Sequence, residues 1–425
     1  VSELLQALDY LKQHDMADCL RMIHFHIGSQ VCDIRQLKNA VNELAHIYTE
    51  LKKLGAGLDT IDIGGGLGVD YDGSQSAWAS SINYTVAEYA SDVVYRIRQA
   101  CDASGVSHPR ILSESGRAMV AYSSVLVFDV VGKSRFASDP KLDEIKQLLA
   151  KEEEPPQPVT DLVDSFERLS DRNMVEVYHD AVQARDEALS LFNLGYMSLT
   201  MRASAERLFW AIGRQILSRS QRLGELSEDL QNLPELLSDI YYCNFSLFQS
   251  MPDSWAIDQL FPVCPIHRLH EEPTRRAVLA DITCDSDGQV DKFCDKKTAC
   301  KATLDLHDLK PGTDRKPEPY YLGIFLLGAY QEVLGDLHNL YGDTHVVHVS
   351  FDDSPGVGDW DLDEVVEGDT VKEVLSYVQY DTEDLIKAMR KDVERSVKAG
   401  RISVPEGQSL LKFYDQGMEG YTYLE

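Results

Sequence analysis

The chain lacks both a long apolar run and an apolar segment preceded by basic residues at its start. A membrane-spanning helix needs about 20 consecutive apolar residues, and the most apolar stretch, residues 320–330, is much shorter. A secretory signal would begin with basic residues and an apolar core, whereas this chain begins Val-Ser-Glu. We therefore expect no membrane span and no secretion. Because the first residue is not methionine, we also expect the natural start to lie upstream.

Basic residues are scarce relative to acidic ones. The chain has 41 lysines and arginines against 70 aspartates and glutamates, a formal net charge of −29. Binding to nucleic-acid phosphates needs clusters of lysine and arginine, so this balance argues against a nucleic-acid partner. An acidic surface can attract cationic small molecules, although it more commonly serves solubility.

Cysteine is too dilute for a secreted disulfide scaffold, with eight residues in 425. None of the cysteines forms a Cys-x-x-Cys pair, which argues against a zinc ribbon or a thioredoxin-type site. This usage fits a reducing, cytoplasmic compartment. Cys294 and Cys300 are close enough in sequence to pair, but nothing in the sequence requires a disulfide.

A chain of 425 residues is expected to form two or three domains. Its first 117 residues alternate between helical periodicity and short apolar strands. Such alternation predicts an α/β fold with a parallel sheet or a (β/α) barrel. The helices are predicted at 1–12, 34–54 and 86–103, and the strands at 20–25, 58–63 and 110–113. Because a TIM barrel needs eight strands, we expect only its C-terminal strands here, an incomplete barrel.

The remaining residues change character several times. A strand is predicted at 123–131, an acidic, proline-rich linker at 151–158, and helices over 160–239, with apolar periodicity clearest at 204–217 and 223–237. Strands return at 241–247, 277–282, 321–327 and 345–351, and helices at 369–425. The predicted domains are residues 1–122, the C-terminal part of a barrel; 123–147, a strand of a β domain and a connection; 148–239, a linker and an inserted helical bundle; 240–367, a β-barrel or β-sandwich domain; and 368–425, a C-terminal helical region.

The first chemical motif is HFHIGSQ at residues 24–30, where a strand ends. Side chains alternate along a strand, so His24 and His26 share a face, and ligands bind at the C-terminal mouth of a parallel barrel. The pair could bind a metal or a flat cofactor. A metal hydrolase would need further histidines at the other strand ends, and those ends carry none. For His24 alone, a structural role is favoured.

Glycines follow the second strand in DIGGGLGVDY at residues 62–71. Glycines in this position let backbone N–H groups approach a phosphate, or simply form a tight turn. The dinucleotide fingerprint would require glycine where Val69 stands, and no Lys-Ser or Lys-Thr follows as in a P-loop. The sequence therefore leaves a phosphate turn and a structural turn open.

Two further motifs carry charged groups. ESGR at 114–117 offers a carboxylate that can pair with a pyridinium nitrogen and an arginine that can clamp phosphate, although an ordinary ion pair is equally compatible. CDSDG at 284–288 resembles part of a calcium loop, but Lys296 stands where that loop needs glutamate. A thiol beside two carboxylates could instead donate a proton and bind a cation. Tyr330 follows the last apolar strand and could place its hydroxyl at a ligand.

Together these motifs resemble the fold-type III pyridoxal-phosphate-dependent decarboxylases, and within them the branch that acts on arginine. The resemblance covers essentially the whole chain. It includes NFSLFQSMPD at 244–253, DITCDSDG at 281–288, GAYQE at 328–332 and GYTYLE at 420–425. It implies decarboxylation of L-arginine to agmatine and carbon dioxide in polyamine (putrescine and spermidine) biosynthesis. It also implies pyridoxal 5′-phosphate as the cofactor, possible use of Mg²⁺, and a homodimer or homotetramer whose subunits share active sites.

The resemblance also implies roles for individual residues. His26 would stack on the cofactor ring, Glu114 would pair with its pyridine nitrogen, and Cys284 would return a proton to the substrate carbon. The phosphate would be held by Ser29, Gly64, Gly65, Gly66, Arg117 and Tyr330. The substrate would be bound by Asp285 and Asp287, which would grip the guanidinium, and by Asp62, Leu67, Gly68, Val69, Asp70 and Tyr71.

The chain departs from the family pattern at two points. No motif matches the lysine that binds the cofactor, since Lys12, Lys52 and Lys53 fall on predicted helices, so we expect that lysine in a preceding segment. Phe245 stands where ornithine-specific relatives carry aspartate, which favours arginine over ornithine. Two alternatives stay open: a decarboxylase of the same fold acting on diaminopimelate or another basic amino acid, and an inactive paralogue that binds a partner enzyme.

Overall fold

A computed structural model gives the fold of the protein and describes residues 1–136, 139–224, 226–312, 317–351 and 360–424. The first region alternates helices with short parallel strands, as predicted. Its elements are α1 (Ser2–Gln13), β1 (Met22–His24), α2 (Ile34–Lys53), β2 (Thr60–Asp62), α3 (Val86–Ser104), β3 (Arg110–Leu112) and α4 (Gly116–Val120), with 3₁₀ turns at Ala17–Cys19 and Ala121–Ser123.

The ends of the two long helices of this region follow capping rules. The Asp33 side chain accepts the Arg35 N–H at the start of α2, and Thr85 and Glu88 form a capping box at the start of α3. Helix α3 ends at Gly105, whose left-handed φ of 65° suits a residue without a side chain. Both helices pack on one face of the three-stranded parallel sheet, in the order β1-β2-β3, over a shared apolar core.

The predicted helical insert is present. After strand β4 (Val125–Ser134) come α5 (Leu142–Leu149), α6 (Gln157–Arg168), α7 (Met174–Asn193), α8 (Leu199–Leu223), a 3₁₀ turn at Glu228–Leu230 and α9 (Leu233–Leu236). These helices enclose their own apolar core. Helix α5 crosses the boundary expected at 147/148, and its Ile145, 1% exposed, lies in that core. The helix therefore packs as part of the insert.

One predicted helix in the insert is wrong. Apolar periodicity over 223–237 indicated a continuous helix, but α8 ends at Leu223, and among the described residues of 226–237 a 3₁₀ turn and the four-residue α9 follow. Gly224 adopts a φ of 73°, a left-handed cap that stops the helix. Pro234 lacks the N–H that a longer helix would require and is tolerated only near a helix start.

The second half is mainly β-structure followed by helices. Its elements are β5 (Asp239–Cys243), α10 (Leu247–Ser250), α11 (Pro252–Ala256), β6 (Val263–Pro265), β7 (Arg275–Ala280), β8 (Gln289–Val290), β9 (Phe293–Asp295), β10 (Ala299–Lys301), β11 (Leu304–Leu306), β12 (Tyr321–Phe325), a 3₁₀ turn at His338–Leu340, β13 (Val346–Phe351), β14 (Trp360–Val366), α12 (Val371–Tyr377), α13 (Thr382–Lys398) and α14 (Val404–Met418).

A mixed sheet forms the core of this half, in the order β11-β7-β5-β4-β12-β6 with β8 paired to β7. Strand β4 lies between β5 and β12, so the chain enters this sheet before the helical insert and returns to it afterwards. Two separate ribbons, β9-β10 and β13-β14, complete the strands. The strand predicted at 241–247 is shorter than expected, because Ser246 caps the short helix α10.

The C-terminal tail is fastened to the β domain. The Asn244 side chain donates to the Leu424 carbonyl at 2.7 Å and accepts the Leu424 N–H at 3.1 Å, while the Tyr423 hydroxyl donates to the Gly342 carbonyl at 2.8 Å. Burial raises the pKa of Tyr423, so this hydroxyl stays a neutral donor. No helix in the described part of the chain is long and apolar enough to cross a membrane.

Candidate active site

The candidate site lies where the three parallel strands end side by side. In the sheet register His24 stands opposite Asp62, and Asp62 stands opposite Leu112, two residues before Glu114. The carboxyl ends of parallel strands meet at one edge, which is where α/β folds bind ligands. The motifs at 24–30, 62–71 and 114–117 are therefore neighbours in space.

At the centre of this edge, His24, Asp62 and Glu114 come together. The His24 Nδ1 atom lies 2.8 Å from Asp62 Oδ2, and one donor atom from each of the three residues lies within 4.8 Å of the others. Such a set could share a divalent metal ion. His26, the other half of the predicted His-x-His pair, is not part of the set; its Nδ1 accepts the Gly65 N–H at 3.2 Å.

The glycine turn after β2 cannot carry side chains at two of its positions. Gly64 has φ +63°, and an added Cβ would lie 2.1 Å from the Phe25 carbonyl oxygen. Gly66 has φ +100°, and its Cβ would lie 2.6 Å from the Gly28 carbonyl oxygen. Both positions thus need glycine for conformation and for space. The turn brings its backbone directly against the strand end that carries the histidines.

Arg117 forms a clamp beside the glycine turn. Although its side chain is buried, its Nε and Nη2 donate to Ser29 Oγ at 3.2 and 3.1 Å, and its Nη1 donates to the Tyr71 hydroxyl at 2.8 Å. Burial raises the pKa of Tyr71, and the adjacent guanidinium opposes that rise. The clamp therefore combines a fixed positive charge with hydroxyl groups, the donors that a phosphate requires.

Tyr330 completes the clamp from the β domain. Arg117 Cζ lies 5.0 Å from the centre of its ring, a cation–π distance. Tyr330 adopts a φ of 71°, unusual for a residue with a side chain, and is about half exposed, at 47%. Its hydroxyl thus remains available to a ligand held against Arg117.

Most of the segment predicted to bind substrate is used for packing. Leu67 and Val69 are buried in the apolar cores, the Gly68 N–H donates to the Tyr84 hydroxyl at 3.1 Å, and Asp70 accepts a hydrogen bond from Ser81. Asp62 has both oxygens engaged, with His24 and with the Gly64 N–H. Of the residues predicted for the substrate here, Tyr71 alone touches the clamp.

Cys284, Asp285 and Asp287 lie in the loop between β7 and β8, where Cys284 and Asp287 are exposed and Asp285 is partly exposed. The Cys284 Sγ lies 3.6 Å from Asn339 Oδ1, Asp285 pairs with His338 at 3.1 Å, and the Trp255 indole N–H donates to Asp287 at 3.4 Å. Within the described ranges, no hydrogen bond or ion pair joins this group to the strand-end site.

Several of these partners had no signal in the sequence. Asn339 and His338 stand in a loop turn without a motif, and sequence reasoning missed them. It also missed that Asp62 serves His24. His24 and Asp62 each stand one residue before the end of a predicted strand. Because neighbouring parallel strands place such positions side by side, this shared position was the available signal for the pair.

The lysines considered from the sequence face elsewhere. Lys52 Nζ donates to the Leu58 carbonyl at 2.7 Å and Lys53 pairs with Glu50 at 2.8 Å, both from helix α2. Lys12 lies in the last turn of α1. None of the three makes a hydrogen bond or ion pair to the strand-end site in the described residues.

Comparison with known proteins agrees with this architecture. Residues 3–121 match the pyridoxal binding domain of the pyridoxal-dependent decarboxylases, residues 152–234 the arginine decarboxylase helical bundle domain, and residues 371–424 the arginine decarboxylase C-terminal helical extension. The biosynthetic arginine decarboxylase of Phocaeicola vulgatus is 47% identical over 100% of this chain. This chain belongs to the biosynthetic arginine decarboxylase family.

Two further arginine decarboxylases match this chain over its full length. Biosynthetic arginine decarboxylase 1 of Synechocystis sp. is 46% identical over 100% of this chain. The crystal structure of the biosynthetic arginine decarboxylase of Campylobacter jejuni superposes with a TM-score of 0.83 at 33% identity, covering 100% of this chain and 66% of that one. The chain spans 65% of the length of the Phocaeicola relative and 60% of the Synechocystis relative.

Proposed function

We propose that this chain forms most of an enzyme that decarboxylates L-arginine to agmatine and carbon dioxide with pyridoxal 5′-phosphate. The observation that carries the proposal is the meeting of His26, Glu114 and the Arg117 clamp at one sheet edge. A flat ring, a carboxylate and a charged fork suit the ring, the pyridine nitrogen and the phosphate of this cofactor. The full-length similarity to proteins named biosynthetic arginine decarboxylases supports arginine as the substrate.

The residues present suit the cofactor. Gly65 leaves little space beneath the His26 ring, since an added Cβ would lie 3.3 Å from His26 Cε1. A residue with a side chain there would press against the histidine and tilt it away from a stacked ring. The Arg117 fork, Ser29 and Tyr330 would hold the phosphate together with backbone of Gly64, Gly65 and Gly66. Bound pyridoxal phosphate would supply an electron sink for the electron pair left when carbon dioxide departs.

The protein's own groups would orient and protonate. Glu114 would accept a hydrogen bond from the pyridine nitrogen and keep that nitrogen protonated. Arg117 would hold the phosphate at the opposite end of the cofactor, so the cofactor would be fixed at both ends. These two anchors come from the same short segment after β3, with only two residues between them in the chain, so they move together with that strand.

Cys284 and Asp285 would serve the active site of a second subunit in a homodimer or homotetramer. Both are accessible at the surface: Cys284 is exposed, and the Asp285 side chain is 34% exposed. Cys284 would deliver a proton to the substrate carbon, and Asp285 and Asp287 would pair with the guanidinium. Among the described residues the partners of this group are Asn339, His338 and Trp255, and none belongs to the strand-end site, which is consistent with shared sites.

The lysine that binds the cofactor and the remaining barrel strands would come from outside this chain. The first region contains a three-stranded parallel sheet, and the chain spans 60 to 66% of the length of its relatives. The chain would divide at the domain boundaries predicted from the sequence, except that α5 would belong to the helical insert. A role for Mg²⁺ rests on the family resemblance alone.

The test is an assay of the full-length protein with ¹⁴C-carboxyl-labelled arginine and pyridoxal phosphate. Release of labelled carbon dioxide with formation of agmatine is expected. Diaminopimelate, ornithine and lysine in parallel reactions test the substrate. Consumption of one of these with arginine left intact would refute the proposed specificity.

A further inference from the structure

His24 lies at the centre of the strand-end site, yet the proposed function gives it no task. We propose that His24, anchored by Asp62, is a positioning residue for Glu114: it links the exposed carboxylate to a buried one and so fixes where Glu114 meets the pyridine nitrogen. The inference rests on the proposed function and concerns the same site.

Asp62 is a rigid anchor. It is 7% exposed and stands in the middle strand of the sheet. Its Oδ1 accepts the Gly64 N–H at 2.9 Å, and its Oδ2 lies 2.8 Å from His24 Nδ1. With both oxygens engaged and the backbone held by neighbouring strands on both sides, the Asp62 carboxylate has one orientation. The contact of Nδ1 with this carboxylate orients the His24 ring.

Glu114, by contrast, has no anchor of its own. Its backbone N–H donates to the Gly64 carbonyl at 2.9 Å, but within the described residues its exposed side chain makes no hydrogen bond or ion pair. A glutamate side chain without a hydrogen-bond partner samples many rotamers. This freedom reduces the precision of position that a catalytic contact needs. The His24–Asp62 pair is the polar group that lies beside it, within 4.8 Å.

The ring geometry gives the same direction. One atom each of the Asp62 carboxylate, the Glu114 carboxylate and the His24 ring lies within 4.8 Å of the other two. Because Asp62 Oδ2 lies 2.8 Å from His24 Nδ1, Nε2 is the ring atom that this inference assigns to Glu114.

A shared divalent cation is the competing role for the same three donors. A cation there would take a Glu114 oxygen and compete with the pyridine nitrogen for that carboxylate. The proposed cofactor pairing therefore favours the positioning role, and the metal becomes an outcome of the test.

The experiment uses the full-length protein loaded with pyridoxal phosphate labelled with ¹⁵N in the ring, whose chemical shift reports protonation of the pyridine nitrogen. His24→Leu removes both ring nitrogens, and His24→Gln keeps a polar group at the reach of Nε2. The matched control is His108→Leu, because His108 and Asp102 form a similar pair at 2.7 Å on the exposed surface, away from the site.

We expect the His24→Leu protein to show a ring ¹⁵N shift moved toward the unprotonated value. Its kcat for arginine should fall by about 10- to 100-fold, with a KM changed less than threefold, on the order expected when positioning alone is lost. His24→Gln should recover part of both the shift and kcat. His108→Leu should match the wild type, and thermal unfolding confirms that each variant is folded.

A wild-type shift and kcat in folded His24→Leu would overturn the inference. So would loss of the wild-type signal on chelation with EDTA and its return with Zn²⁺, because that result assigns the three donors to a metal. If His24→Leu does not fold, His24→Gln is compared with Asp62→Ala: a partial loss of the shift and kcat in His24→Gln with a larger loss in Asp62→Ala supports the anchored hydrogen-bonding link, and wild-type values in Asp62→Ala reject it. Failure of the wild-type protein itself to bind the cofactor or release carbon dioxide would instead refute the proposed function.

Discussion

Replacing Arg117 by lysine should weaken both cofactor binding and the fold. The guanidinium makes two hydrogen bonds to Ser29 and one to Tyr71, whereas a single ammonium cannot span both partners and a phosphate. Loss of one charged hydrogen bond costs about 1.5–3 kcal/mol, which corresponds to a Kd about 10- to 150-fold higher. The Tyr71 hydroxyl, left unpaired in the core, should cost about 1–3 kcal/mol of unfolding free energy.

The assay is a titration of the full-length apoprotein with pyridoxal phosphate, followed by absorbance, with urea unfolding in parallel. Arg98→Lys is the control, because Arg98 is an exposed residue of helix α3 and should change neither quantity. An unchanged Kd in Arg117→Lys would refute the assignment of Arg117 to the phosphate. Weaker folding with normal cofactor affinity would leave Arg117 a structural residue.

Three further predictions follow from individual contacts. Gly64→Ala should lower the unfolding free energy by about 3 kcal/mol or more, since its Cβ would lie 2.1 Å from the Phe25 carbonyl oxygen. The control Gly105→Ala, at a φ of +65° but with open space around it, should lower the unfolding free energy by about 1 kcal/mol. Equal losses in urea unfolding would show that the close approach at Gly64 is not decisive. Cys284→Ala should reduce agmatine formation by about 100-fold or more or divert the product, and unchanged kinetics and product ratio would remove Cys284 from the reaction. Burial raises the pKa of Cys294 to about 12, so in the folded protein Cys294 should resist iodoacetamide from pH 7 to 9. Exposed Cys19 should be labelled in the same reaction, as measured by peptide mass spectrometry. Because the folded state favours the neutral thiol, the contribution of Cys294 to stability should be lost as pH rises above the ordinary thiol pKa of about 8.5.

Sequence periodicity was sufficient for the elements whose burial repeats regularly. Helices α2 and α3 and the three parallel strands lie within a few residues of where apolar periodicity and alternation predicted them. The prediction failed at 223–237, where apolar spacing continued through Gly224 and Pro234 although neither permits a long helix. Backbone-breaking residues there outweigh the hydrophobic pattern, and counting apolar positions alone does not register them.

The site was predictable where a motif follows a strand and unpredictable where contacts depend on register. The strand-end positions of His26, Glu114 and Arg117 could be inferred from alternation and the parallel sheet. The engagement of Asp62 by His24 depends on which residues stand opposite one another in β1 and β2. The burial of Leu67 and Val69 depends on cores formed by distant segments. Neither is encoded in local spacing, so the sequence did not indicate that Leu67 and Val69 are buried within the predicted substrate segment.

The most direct test of the account is the product formed from arginine by the full-length protein loaded with pyridoxal phosphate. The account predicts agmatine and carbon dioxide in equal amounts, with loss of both when Glu114 is replaced by alanine. Arginine left unchanged by protein that binds the cofactor, or equal turnover in Glu114→Ala, would contradict it.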